Sequence, residues 1–196
     1  MPPQSCLVTD SGAHQMLARK YFRVLAPRGL MVPSDFQSMG FGLPAGIGAK
    51  LASPEKTVVV LMGDGGFAVS GMEILTAVRE GVQLLVIVFN DGNLGLIRLG
   101  QLSSSGHSFA TRLRNPDFPV FAGAVGAHYQ RLEGNPEAVL QGCLRTPGVT
   151  MLEVCLRDSA AIGKLLVMGR VKERVKHLVG SRAAQRLRQW QNRARE

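Results

Sequence analysis

Cysteine is scarce in this sequence and poorly spaced for either of its usual structural uses. The three thiols, Cys6, Cys143 and Cys155, are odd in number and form no CxxC pair, which excludes a disulfide frame and a zinc ribbon and leaves buried thiols as the expectation. No run of eighteen apolar residues is present, so no segment reads as a membrane-spanning helix. The opening MPPQSCLVTD lacks both a basic start and an apolar signal core, and a cytoplasmic setting is expected. No G-x-x-x-x-G-K-[ST] or G-x-G-x-x-G loop follows a candidate strand, which removes the common nucleotide-binding α/β readings. Internal repeats and low-complexity stretches are absent too.

What is present is a chain of 196 residues that is 45% hydrophobic, enough for one α/β-sized domain with a full core. The formal net charge of +9 suggests nucleic acid until it is located. From Arg157 onward eleven Lys and Arg stand against three Asp and Glu, and the body before it is nearly neutral. In that tail Ile162, Leu165, Leu166, Val171, Val175, Leu178 and Val179 recur at helical spacing. The division is therefore a domain over 1–156 and a basic helical tail over 157–196, which reads first as a solvated amphipathic helix, with docking on a partner subunit or phosphate contacts to nucleic acid as the alternatives.

Along the body the elements alternate. Residues 57–62 and 84–89 are short β-branched or apolar runs bounded by Gly, Asp and Asn, the pattern of buried parallel strands. Good helix formers over 70–80 lie between them and stop at Gly81, making a βαβ unit. Further strands are expected over 7–9 and 149–156, helices over 43–51 and 137–144, and a loop punctuated by Pro116 and Pro119 before the apolar 120–125. The fold class is α/β, a parallel sheet with helices on both faces.

Successive parallel strands joined by a right-handed crossover end on the same sheet edge, where such folds bind ligands. The two strand ends here are Gly63-Asp64-Gly65 and Asn90-Asp91-Gly92-Asn93, with 24 residues between Gly65 and Asn90. Asp64 and Asp91 should therefore face one crevice. Magnesium suits such hard oxygen ligands and is commonly held by one or two carboxylates plus water and a substrate phosphate. The amides of Gly65 and Gly66 are placed to receive that phosphate.

A GDG followed some two dozen residues later by Asn-Asp resembles the signature of thiamine diphosphate-dependent enzymes. The flanks "DSGAHQM", "SMGFGLPAGIGAKLA", "MEILTAVREG" and "VFNDGNLGLIR" extend the likeness over 7–156, to the C-terminal, diphosphate-binding domain of the acetolactate synthase-like branch. The resemblance implies that Mg2+ is held by Asp64, the side chain of Asp91 and the main-chain carbonyl of Asn93. It assigns Ala13 and His14 to a turn touching the diphosphate, with Gly65 and Gly66 on the other side. Main-chain groups of Gln37 and Met39 would hold the aminopyrimidine edge. Met39 would also be the apolar wedge that bends the cofactor into its reactive shape; the alternative for a methionine is core filling.

The implied reaction is decarboxylation of a 2-oxo acid, with or without addition to a second carbonyl compound, on an enzyme that protonates the cofactor pyrimidine with a glutamate from a separate pyrimidine-binding domain. Such a domain lies outside the likeness, so the chain reads as one subunit of a split homo- or hetero-oligomeric enzyme, as a piece of a longer one, or as a non-catalytic remnant. Glu73, the tempting internal acid, is expected to be a structural pair or cap, and His107 and His128 surface residues. A channel tryptophan of true acetolactate synthases falls at Gly100 here, which leaves decarboxylases of aromatic, sulfo- or phosphono-2-oxo acids as the alternative.

Overall fold

The computed structural model describes residues 1–156; the expected basic tail lies outside them. Six strands form one sheet: β1 (Cys6–Thr9), β2 (Leu30–Met31), β3 (Val58–Gly63), β4 (Leu84–Asn90), β5 (His128–Arg131) and β6 (Val149–Cys155), in the order β2-β1-β3-β4-β6-β5. Every pairing is parallel. The helices are α1 (Ala13–Tyr21), α2 (Gly42–Ala52), α3 (Asp64–Ser70), α4 (Ile74–Arg79), α5 (Gly95–Ser105), α6 (Phe118–Val125) and α7 (Pro136–Arg145).

The near-continuous apolar runs of β3 and β4 reflect burial on both faces. Val58, Val60, Met62, Leu84, Val86 and Val88 pack on one face with Leu43 and Ile47 of α2, Phe67 of α3, Ile74 of α4 and Phe118 of α6. The alternate residues Val59, Leu85 and Ile87 pack on the other with Ala18 of α1 and Cys143 of α7. Each such aliphatic side chain, fully buried, contributes about 1.5–3 kcal/mol. Gly46 lets α2 settle onto the sheet, since a Cβ there would lie 2.3 Å from Val60 Cγ2. Helices thus cover both faces, as expected.

Several local expectations are revised. The helix anticipated over 70–80 is broken into α3, a 3-10 turn (Gly71–Glu73) and α4, and it starts at Asp64 with no intervening loop. Gly65 and Gly66 therefore lie in the first turn of a helix. His14 likewise lies in the first turn of α1 and not in an isolated turn. The apolar 120–125 stretch is α6, entered at Phe118 and capped by Asp117, whose Oδ1 accepts from the Val120 N–H at 3.1 Å. Cys6 and Cys143 are buried as expected, but Cys155 is exposed because β6 there runs past the core. Among the described residues no helix is long and apolar enough to cross a membrane.

Candidate functional site

From β1 the chain passes through α1 to β2 on one side and returns through α2 to β3 on the other. The sheet order reverses between β1 and β3, and a crevice opens at their carboxyl ends. Asp10 follows β1, Asp64 follows β3 and Asp91 follows β4.

Asp64 is 3% exposed. Its Oδ1 accepts from the Gly65 N–H at 3.0 Å, and its Oδ2 accepts from the Gly92 N–H at 2.8 Å and from Asn115 Nδ2 at 2.7 Å. Burial still pushes its carboxyl above the usual range, because these neutral donors do not replace lost water. Asp91 is raised as well, first by burial and then by the negative charge of Asp64, with Arg98 only partly offsetting them. The expected pair is thus brought together.

Asn93 donates its N–H to Asp91 Oδ1 at 3.0 Å and its amide to the Asp91 carbonyl at 2.7 Å. It forms an antiparallel bridge with Arg112, made by the flanking bonds Leu94 N–H to Thr111 O and Leu113 N–H to Gly92 O, each 2.8 Å. The bridge therefore leaves the Asn93 carbonyl unused.

The β1 side is organised by Asp10, a residue given no role from sequence. It is fully buried; its Oδ2 accepts from the Gly40 N–H at 2.9 Å and its Oδ1 from the Gly42 N–H at 3.3 Å. This ties the loop carrying Gln37 and Met39 to the strand end. Gly66 is required there, since a Cβ would sit 1.8 Å from Asp10 Oδ2. A Cβ at Gly65 would meet Met39 Cε at 3.0 Å and Leu94 Cδ2 at 2.9 Å, so the Met39 tip overhangs Gly65. Met39 is 40% exposed, which is not the burial of a core filler. Gln37 has φ 52° and is exposed, its amide 3.3 Å from the Ser34 carbonyl.

Ala13 opens α1, and His14 behind it is buried, stacked on Phe89 at 5.8 Å, with Nε2 3.1 Å from the Asp10 carbonyl. Burial drives its pKa down to about 4, so the ring is neutral at physiological pH. The amide of Gly65, unlike the sequence expectation, is already engaged with Asp64 Oδ1. Glu73 is exposed and accepts from the Thr76 hydroxyl at 2.9 Å at the start of α4, the structural role anticipated. His107 and His128 are exposed. A Cβ at Gly100 would meet nothing within 4 Å.

Among the described residues no group of three His, Cys, Asp or Glu could cage a metal. That suits magnesium, which keeps water and phosphate in its shell and needs only one or two carboxylates. Two mutually repelling carboxylates with a spare carbonyl nearby fit a hard divalent cation.

A parallel α/β sheet with buried carboxylates beyond the carboxyl ends of its strands has the edge at which ligand-binding α/β proteins hold their ligands. Residues 10–154 match the family described as thiamine pyrophosphate enzyme, C-terminal TPP binding domain, and the chain belongs to that family. It is 34% identical over 172 residues to the acetolactate synthase isozyme 2 large subunit of Escherichia coli, covering 85% of this chain and 31% of that protein. It is 33% identical over 157 residues to a Pseudomonas aeruginosa protein named as a probable 2-ketoarginine decarboxylase, covering 79% and 28%. Such relatives put it in the acetolactate synthase-like branch. The X-ray structure of a Mycobacterium smegmatis protein described as a thiamin diphosphate-dependent enzyme shares the fold, with TM-score 0.67, 22% identity and coverage of 79% and 29%. The chain spans less than a third of the length of each of these proteins.

Proposed function

We propose that this chain is the diphosphate- and magnesium-binding half of a thiamine diphosphate-dependent enzyme acting on 2-oxo acids, completed by a pyrimidine-binding domain or subunit that carries the catalytic glutamate. The observation that supports it most is the junction of the β3 and β4 ends, where the N–H of Gly92, next to Asp91, donates to Asp64 Oδ2 at 2.8 Å and brings the two acidic residues to one loop. Asp64, Asp91 and the Asn93 carbonyl would hold Mg2+. Gly66, with Gly65, would face the diphosphate, and Ala13 and His14 would close it from α1. Neutral His14 spends its single N–H on the Asp10 carbonyl through Nε2, so its ring would brace the first turn of α1 against the strand end without adding charge beside the diphosphate. Met39 would support the cofactor's bend from its position over Gly65, with main-chain groups of Gln37 and Met39 along the pyrimidine edge.

The cofactor, when bound, supplies the carbanion chemistry of decarboxylation and carboligation; the protein's residues position it and keep its charge neutralised. Two readings of the substrate remain distinct. Acetolactate formation is supported by the branch, and simple decarboxylation of another 2-oxo acid by the open space at Gly100 and by the decarboxylase-named relative.

Calorimetry tests the metal assignment. Thiamine diphosphate should bind the chain tightly only with Mg2+, and Asp91→Ala should weaken that binding at least tenfold, or about 1.4 kcal/mol. Unchanged magnesium-dependent binding in the variant would refute the assignment.

A further inference from the structure

Beside the candidate metal loop lies a second polar cluster that no step above uses. It borders a cavity of about 380 Å³ lined by Asn90, Asn115, Asp117, Phe118, Arg131 and Glu153, among others. Glu153 is 3% exposed, on β6, next to the end of β4. Its Oε1 accepts from Asn90 Nδ2 at 2.6 Å, and its Oε2 accepts from the Tyr129 hydroxyl and from Arg131 Nη2 at 3.2 Å.

We infer that Glu153 is a positioning residue for the candidate metal site, acting through the amides of Asn90 and Asn115 to fix which oxygen of Asp64 is open to a cation. The inference rests on the reading of Asp64 as a metal ligand. A carboxylate can only accept, so Asn90 must turn its NH2 toward Glu153. Its Oδ1 then faces the loop, where it accepts from the Gly92 N–H at 3.2 Å and from Asn115 Nδ2 at 2.9 Å. The second proton of Asn115 Nδ2 goes to Asp64 Oδ2 at 2.7 Å.

Amide oxygen and nitrogen are nearly equal in shape, so an asparagine chain has two possible senses unless one end fixes it. Reversing Asn90 would set its oxygen against a carboxylate and its NH2 against two donors. Glu153, with the shortest of these bonds, and the weaker Gly92 N–H together set the sense of Asn90, and Asp64 receives the matching NH2 of Asn115. The outcome at the far end is unequal loading: Asp64 Oδ2 carries two hydrogen bonds and Oδ1 one, so Oδ1 is the oxygen left for the cation. A cluster serving only to join β4, β5 and β6 would not need this order to continue past Asn90.

The test exchanges the polarity of a single junction in the full 196-residue chain. Glu153→Gln leaves Asn90, Tyr129 and Arg131 competing for one acceptor oxygen. In the apo chain the side-chain amide protons of Asn115, followed by nitrogen-15 NMR, should lose their hydrogen-bonded shifts and exchange at least tenfold faster. The Kd for Mn2+ in the presence of thiamine diphosphate should rise about tenfold. Combining Glu153→Gln with Asn90→Asp lets the amide introduced on β6 donate to the carboxylate introduced on β4, which again presents an oxygen to Gly92 and Asn115, and should restore the Asn115 signals.

An unchanged Asn115 spectrum in the single variant would overturn the inference, as would loss of the signals with no recovery in the double variant. If the single variant fails to fold, the double variant must recover both the fold and the Asn115 signals; its failure would equally overturn the inference. Absence of Mn2+ binding by the unaltered chain with thiamine diphosphate would instead count against the metal site, while the apo Asn115 readout would still decide whether the ordered amides depend on Glu153.

Discussion

Two carboxylate groups stand at the same sheet edge, and burial acts on them with opposite results. Glu153 would be pushed upward by burial alone, yet hydrogen bonds from Tyr129, Asn90, Cys155 and Arg131 outweigh it and hold the carboxyl below its usual range. Asp64, equally buried at 3% exposure, accepts only from neutral amides and is raised. Asp91 is raised further by Asp64 itself. The lesson is that burial does not set a carboxylate's role; the charge and number of its donors do. Glu153 is saturated and suited to holding geometry, whereas the Asp64–Asp91 pair keeps an unmet demand for positive charge.

Catalysis should show the largest effect. Neither group is offered as the acid that protonates the cofactor pyrimidine, so the chain alone, saturated with Mg2+ and thiamine diphosphate, should release carbon dioxide from pyruvate about 10²–10⁴-fold more slowly than with a glutamate-bearing partner. Turnover by the isolated chain at about 10 s⁻¹ would require an internal donor and would make Glu73 the first residue to replace.

A smaller effect sharpens the contrast. A carboxyl whose folded pKa is raised loses native stability as pH climbs through that pKa. Asp91→Asn should therefore raise the apo melting temperature at pH 7. The gain should vanish on acidification as Asp91 takes up its proton. A lower melting temperature at pH 7 would show that Asp91 is satisfied without a cation.

How much of this is legible in the sequence depends on the distance between partners. The inner strands β3, β4 and β6 announce themselves through runs such as Thr57-Val-Val-Val-Leu-Met62. Edge strand β5 does not, because His-Tyr-Gln-Arg is polar and only half-covered. The two-residue β2 carries too little pattern, and α1 and α5 are hidden beside motifs whose glycines read as turns. Asp64 and Asp91 are legible because one βαβ unit fixes their spacing. Asp10, Asn115 and Glu153 are not, because their partners lie 30, 51 and 63 residues away, and no local rule joins an acid to a loop that far along the chain. Asp10 does stand at the head of "DSGAHQM", and a lone acid ending an apolar strand is the available signal.

The most direct test of the central claim, that Asp64 and Asp91 hold a cation against a diphosphate, is electron–nuclear double resonance on the 196-residue chain with Mn2+ in place of Mg2+ and thiamine diphosphate bound. Phosphorus-31 hyperfine coupling to the manganese should appear in the unaltered chain and be lost in Asp91→Ala at equal metal and cofactor concentrations. Bound cofactor with no phosphorus coupling, or a coupling that survives the substitution unchanged, would contradict the claim.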